Sequence, residues 1–203
     1  MSYSLIAQVD VAKEPHHITI FKNSKIQILK GDLRKGDTSY FHRHSRPSIV
    51  FVFNDSHTNS QDFNQSWREN SRKAGSVIFK SFDVPQIHRT TNLNSQNYQM
   101  HDVEILSPPS SINLSPLNDP KFTIELQNKN LFVYRKKIEA DSIKFTARVF
   151  TVVTFMNGEK IDTRLNNKRR KTYGKNDFLA LNPGDSVEIS NSMNVEIVLT
   201  EFL

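Results

Sequence analysis

The side chains best suited to chemistry in this chain are three histidines. His42 and His44 end the segment Gly36-Asp37-Thr38-Ser39-Tyr40-Phe41-His42-Arg43-His44, and His88 follows in Pro85-Gln86-Ile87-His88. In an extended strand, residues i and i+2 share a face about 6.5–7 Å apart, so both imidazoles of the first pair turn the same way. Imidazole nitrogens bind divalent metals at about 2.0–2.2 Å. The pair can therefore converge on one ion while the alternate residues pack. Three neutral imidazoles leave two or three positions open on a metal, for substrate, water or dioxygen. They also leave its double charge intact, which favours an anionic substrate that chelates through two oxygens. Iron(II) could activate dioxygen there; zinc or nickel could serve as a Lewis acid for isomerisation, lyase or hydrolysis chemistry. Imidazole suits iron, nickel, zinc and copper alike, so the ligands do not choose the metal.

The strand period puts Tyr40 on the side of His42 and His44, as the candidate catalytic hydroxyl for a bound substrate or as filling for the interior. Asp102 and Glu104 are the carboxylates to test as acid or base beside the histidines. His57, in a polar stretch, and His101, on a late strand, are candidate outer ligands, whereas His16 and His17 precede a strand and read as surface residues. Arg46 and Arg89 are candidates to pair a substrate carboxylate. Trp67 reads as a lid over the site or as an anchor for its own loop.

The elements that must position these residues read as short strands. Apolar and β-branched runs occur at 16–21, 24–30, 48–53, 76–80, 86–90 and 98–106, and again at 122–127, 131–136, 143–155, 178–181, 187–190 and 195–202. Residues 54–70 are polar apart from Phe63 and Trp67 and read as a long loop or an irregular hairpin. No segment longer than about ten residues shows helical periodicity. Short strands with turn signals between them point to an all-β protein built of sandwiches or barrels. Four prolines and four serines between 107 and 120 mark the one strong composition break, which reads as a linker. The expected organisation is an N-terminal barrel over 1–106, a linker over 107–120 and a C-terminal barrel over 121–203.

Composition removes several alternatives. With no cysteine, disulfides, thiolate nucleophiles and zinc–thiolate sites are excluded. No run approaches the roughly 18 apolar residues of a membrane helix, and residues 1–11 lack the basic and apolar regions of a secretion signal. A cytoplasmic protein is expected. Of the net charge of +6, much sits in Lys168-Arg169-Arg170-Lys171, with Arg164 and Lys175 nearby. That run reads as a solvated hairpin tip, and no nucleic-acid recognition pattern accompanies it. The expected partner is a small-molecule substrate or ligand, with no nucleic acid and no membrane, and the chain is expected as a monomer or homodimer.

Gly36, five residues, His42, one residue and His44 together resemble the first signature of the cupin superfamily. His88, three residues and Asn92, preceded by Gly75 and Pro85, resemble the second. Gly174, then Asn182-Pro183-Gly184-Asp185 and Asn191, form a fainter echo, with Glu188 at the place of the second-signature histidine. The resemblance covers nearly the full length. It implies two double-stranded β-helix (jelly-roll-like) barrels: a metal-competent N-terminal one and a degenerate C-terminal one. Ser48 and Ile49 stand where the family's glutamate would, so the resemblance implies a metal held by His42, His44 and His88 alone. It implies iron(II) first, with zinc, nickel or manganese as alternatives, and a dioxygenase acting on a small oxygenated metabolite. The alternative is a non-catalytic barrel that binds or senses a small molecule. The serine–histidine–tyrosine relay of the family's thiol dioxygenases is absent around His101.

Overall fold

Valine, isoleucine, threonine and phenylalanine dominate the runs between turns, and side chains branched at Cβ or aromatic favour a pleated, half-buried strand. The computed structural model accordingly builds strands almost throughout, with one short 3-10 turn at Val11–Lys13. It describes residues 8–109, 113–139, 142–190 and 194–203. Residues 110–112 of the expected linker and Asn191 lie outside the described residues. The chain divides into two compact units, Met1–Ser107 and Pro108–Leu203.

The first unit holds β1 (Val9–Asp10), β2 (His17–Lys22), β3 (Ile26–Leu33), β4 (His42–His44), β5 (Ser48–Val52), β6 (Ser56–Asp62), β7 (Trp67–Arg72), β8 (Val77–Lys80), β9 (Gln86–Asn92) and β10 (Tyr98–Ile105). They form two five-stranded sheets, ordered β1-β4-β9-β6-β7 and β2-β3-β10-β5-β8. The second unit holds β11 (Thr123–Gln127), β12 (Leu131–Ile138), β13 (Ser142–Thr146), β14 (Thr151–Phe155), β15 (Ile161–Leu165), β16 (Lys171–Tyr173), β17 (Phe178–Leu181), β18 (Ser186–Ser190) and β19 (Val195–Phe202). Its sheets run β11-β12-β19-β14-β17 and β13-β18-β15-β16. Strand for strand this is the order of the first unit without β1: one two-sheet barrel topology used twice.

Two segments differ from the sequence reading and a third, the basic run, agrees with it. The polar stretch 54–70 is a regular antiparallel hairpin of β6 and β7, in register from Ser56–Arg72 to Gln61–Trp67. Polar residues suffice there because one face of the hairpin lines a wet cavity. The run 143–155 is two strands in opposite sheets, β13 and β14, because the chain crosses between sheets at 147–150. The basic run sits at the connection of β15 and β16, where 166–170 are exposed and Arg170 reaches Asp162 at 3.6 Å.

The two interiors differ in kind. In the second unit, inward pairs such as Ile143–Ile189 and Phe145–Val187 join Val153, Phe155, Ile161 and Leu181 in a dry core. Tyr134 is fully buried there, its hydroxyl donating to Glu201 and accepting from the Leu117 amide. Glu188, expected at the histidine's place, instead points outward beside Arg164 at 3.9 Å, and the inward position is Ile189. In the first unit the corresponding pairs are His42–His88 and His44–Gln86, and they face a cavity.

Candidate metal centre

The turn before β4 fixes where the histidines enter. Gly36 has φ +79°, a left-handed conformation open to glycine at little cost. Its amide donates to the Asn92 carbonyl, and the Asn92 amide donates to the Asp37 carbonyl. Asn92 is fully buried, and its side chain bonds the Leu33 and Gln96 carbonyls and the Asn94 amide. The two signature residues Gly36 and Asn92 thus lock the entry of β4 to the end of β9. From there β4 alternates buried, exposed, buried over His42, Arg43 and His44.

Antiparallel pairing sets His42 opposite His88, so the three imidazoles converge. One nitrogen from each of His42, His44 and His88 lies within 4.8 Å of the others. His44 Nε2 and His88 Nε2 face each other at 3.1 Å, close to the spacing of two donors bound at right angles on bonds of about 2.1–2.2 Å. The partners of the outer nitrogens assign the protons. His42 Nδ1 donates to the Tyr40 carbonyl at 2.9 Å, which leaves Nε2 as an inward lone pair. His44 Nδ1 is buried and faces the Asp102 carboxylate at 3.3 Å, again leaving Nε2 free to ligate. A carboxylate or carbonyl behind a ligating imidazole holds its ring and its tautomer. The donor set therefore fits a divalent metal ion held through nitrogen.

Electrostatics keep these groups in ligating form. Burial first, and the neighbouring His17 and His44 imidazoles second, lower His42 to about 3. His88 is likewise lowered well below its ordinary value, by burial first and by its histidine neighbours second. Both are neutral at pH 7. Burial would raise Asp102, but the His44 imidazole and the Ser48 hydroxyl outweigh it and hold the carboxyl below its usual range.

The cluster opens into a cavity of about 400 Å³. Sheet residues Thr58, Ser60, Asp62 and Thr90 line one side, and Val50, Ile78, Tyr98 and Met100 the other. Gly31 gives Met100 its place: a Cβ there would lie 2.6 Å from the Met100 Cε. Three cationic side chains, Arg68, Arg72 and Lys80, also border the cavity. Arg68 is neutralised by Asp62. Lys80 approaches Gln86 Oε1 at 3.4 Å, and burial lowers its pKa. Among the described residues neither Arg72 nor Lys80 has a carboxylate within ion-pair distance.

The remaining candidates fall elsewhere. The Tyr40 side chain is 59% exposed and does not line the cavity. The residue lies ahead of β4 in irregular chain, where strand alternation does not apply, and its backbone, not its hydroxyl, serves the site. Glu104 is buried on β10 outside the cavity wall, 4.0 Å from Arg46. His57 pairs with Glu69 at the surface, and His101 packs edge-on to Phe53 on the opposite face of β10 from Asp102. Arg89 is sandwiched between the rings of Phe41 and Trp67, each 4.7 Å away, and bonds Gln61. Trp67 is thus an anchor for the β6–β7 hairpin, and Arg46 and Arg89 do not reach the cavity.

Sequence reasoning missed His17. It is 5% exposed, it lines the cavity, and its ring centre is 4.7 Å from that of His42. The signal was Glu14, three residues earlier: that carboxylate accepts from His17 Nδ1 at 2.8 Å and turns the imidazole inward.

No protein-family model matches this chain, and no curated protein does. Solved structures do match in fold. A cupin 2 conserved barrel domain protein from Leptotrichia buccalis has a TM-score of 0.60 at 13% identity, covering 92% of this chain and 88% of its own. AerE from Microcystis aeruginosa has a TM-score of 0.64 at 12% identity, covering 94% and 98%. A salicylate 1,2-dioxygenase from Pseudaminobacter salicylatoxidans has a TM-score of 0.64 at 11% identity, covering 91% and 75%. The fold is the cupin fold.

Proposed function

We propose that the protein is a metal-dependent cupin enzyme, an iron(II) dioxygenase that acts on a small anionic oxygenated molecule inside the first barrel. The observation that carries this reading is the convergence of His42, His44 and His88 on a cavity that Arg72 and Lys80 border. Iron(II) bound there would supply dioxygen activation. The chain's own part is to bind and orient. The three imidazoles hold the metal, with Asp102 and the Tyr40 carbonyl fixing the rings of His44 and His42. Lys80 and Arg72 attract the substrate anion, whose charge they offset in a partly desolvated wall. Ile78, Val50 and Met100 pack against its apolar part and displace water. The match in fold to a salicylate 1,2-dioxygenase supports the same direction, though fold alone does not decide activity.

A second reading, a non-catalytic barrel that binds or senses a small molecule, draws on one observation. Neither the Tyr40 hydroxyl nor Glu104 lines the cavity, and Asp102 is taken up behind His44. One experiment separates the two readings. Iron(II)-reconstituted protein is placed in an oxygen electrode with a panel of aromatic hydroxy acids, diketones and thiols. Oxygen uptake with one class, absent in His88→Ala, supports the enzyme; saturable ligand binding without uptake supports the binding barrel.

A further inference from the structure

A three-ligand site leaves one buried group unexplained. His17 is the first residue of β2, in the sheet opposite the one that carries β4 and β9. Burying an imidazole beside other imidazoles is costly unless it is engaged. Its outer nitrogen is engaged by Glu14, whose side chain is wholly buried and accepts four bonds: from His17 Nδ1, His16 Nδ1, the His16 amide and the Tyr40 amide. Such a carboxylate is itself a built feature. With the proton on Nδ1, His17 presents a lone pair at Nε2 to the cavity it lines with the other three histidines.

Five of the six ring separations match the spacing of ligands around one centre. A metal–nitrogen bond of about 2.1 Å puts an imidazole centre roughly 3.2 Å from the ion, so rings at right angles sit about 4.6 Å apart and opposite rings about 6.5 Å. His42–His88, His42–His44 and His44–His88 are 4.6, 5.0 and 5.0 Å apart. His17 lies 4.7 Å from His42 and 6.5 Å from His44. The first distance is that of an adjacent ligand and the second that of an opposite one.

We propose that His17, aimed by Glu14, is the fourth protein ligand of the metal held by His42, His44 and His88, which clamps the ion from both sheets. The inference rests on the three-histidine reading and adds to it. His17 lies outside the 4.8 Å group of the other three, so ligation by it would require its ring to move inward. Four neutral imidazoles would hold the ion without offsetting its double charge, which favours anionic oxygen donors as further ligands. A carboxylate at the position of Ser48 becomes unnecessary.

The test uses Co(II) as the probe on metal-free protein. X-ray absorption on the Co(II)-loaded wild type counts the imidazoles, and chelator competition gives affinities for wild type, His17→Ala, His88→Ala and Glu14→Gln. The expected results are four imidazoles in the wild type and three in His17→Ala, an affinity loss of 100-fold or more for His17→Ala, and about tenfold for Glu14→Gln with all four imidazoles kept. Three imidazoles in the wild type, with affinity unchanged in His17→Ala, would overturn the proposal while leaving the triad standing. Wild type that binds no Co(II), or His88→Ala that binds as tightly as wild type, would overturn the triad as well. The count on the wild type decides the matter even if His17→Ala does not fold.

Discussion

Replacing Glu104 by glutamine isolates one buried charge next to the site. Glu104 is 2% exposed on β10, two residues from Asp102 and on the same face of the strand. Asp102 is held ionised by His44, and Arg46 stands 4.0 Å from Glu104 and is half exposed. Burial first and the Asp102 charge second raise Glu104 from 4.5 to about 7. A folded pKa above the unfolded one means that the folded state holds the proton longer. The stability this confers is fully present below about pH 4.5 and is lost as pH rises through about 7. Between pH 5 and pH 8 the wild type should lose roughly 2.5 kcal/mol from this group alone, at about 1.36 kcal/mol per unit. Glutamine keeps the shape and has no proton to lose. Urea denaturation of metal-free wild type and Glu104→Gln at pH 5, 6, 7 and 8 should therefore give a difference that widens with pH in favour of the variant, chiefly between pH 5 and pH 7. Parallel profiles, with the same difference at every pH, would refute the reasoning and with it the claim that Asp102 stands charged beside His44.

Other outcomes follow from the same contacts. Asp102→Asn removes the carboxylate behind His44 and should weaken metal binding by about 10- to 100-fold in chelator competition, with the fold intact by circular dichroism. Lys80→Gln and Arg72→Gln should each weaken binding of an anionic ligand by about tenfold, read as a rise in KM or Kd while metal content stays constant. In the second unit, Arg148→Ala leaves Glu201, 2% exposed and bonded by Nε and Nη2 of Arg148, without its cation. Chemical denaturation should register a loss of about 3 kcal/mol.

Much of the fold was legible because β-branched and aromatic runs stand between turn signals, because short strands such as β4 alternate, and because glycine and asparagine mark the turns where a left-handed residue is needed, as at Gly36. The triad was legible for the same reason: His42-Arg43-His44 alternates in one short strand, and Asn92 reports the end of its partner. Three things were not legible. The hairpin β6–β7 carries polar residues on a cavity wall, so its composition reads as a long loop or an irregular hairpin; its regular cross-strand register is what the composition hides. Tyr40 sits in irregular chain, where counting by twos from His42 has no force. His17 comes from a distant strand, and its inward turn depends on a buried carboxylate at Glu14 that looks like an ordinary surface charge in the sequence. In the second unit, Glu188 was misplaced by one residue, and in a strand one residue is the difference between solvent and core.

The central claim is that His42, His44 and His88 hold a metal ion. Elemental analysis of the purified wild type beside a His42→Ala/His88→Ala variant tests it most directly. The account predicts about one transition-metal ion per chain in the wild type and none in the variant. A metal-free wild type that also fails to take up added iron(II), or equal metal in both proteins, would contradict it.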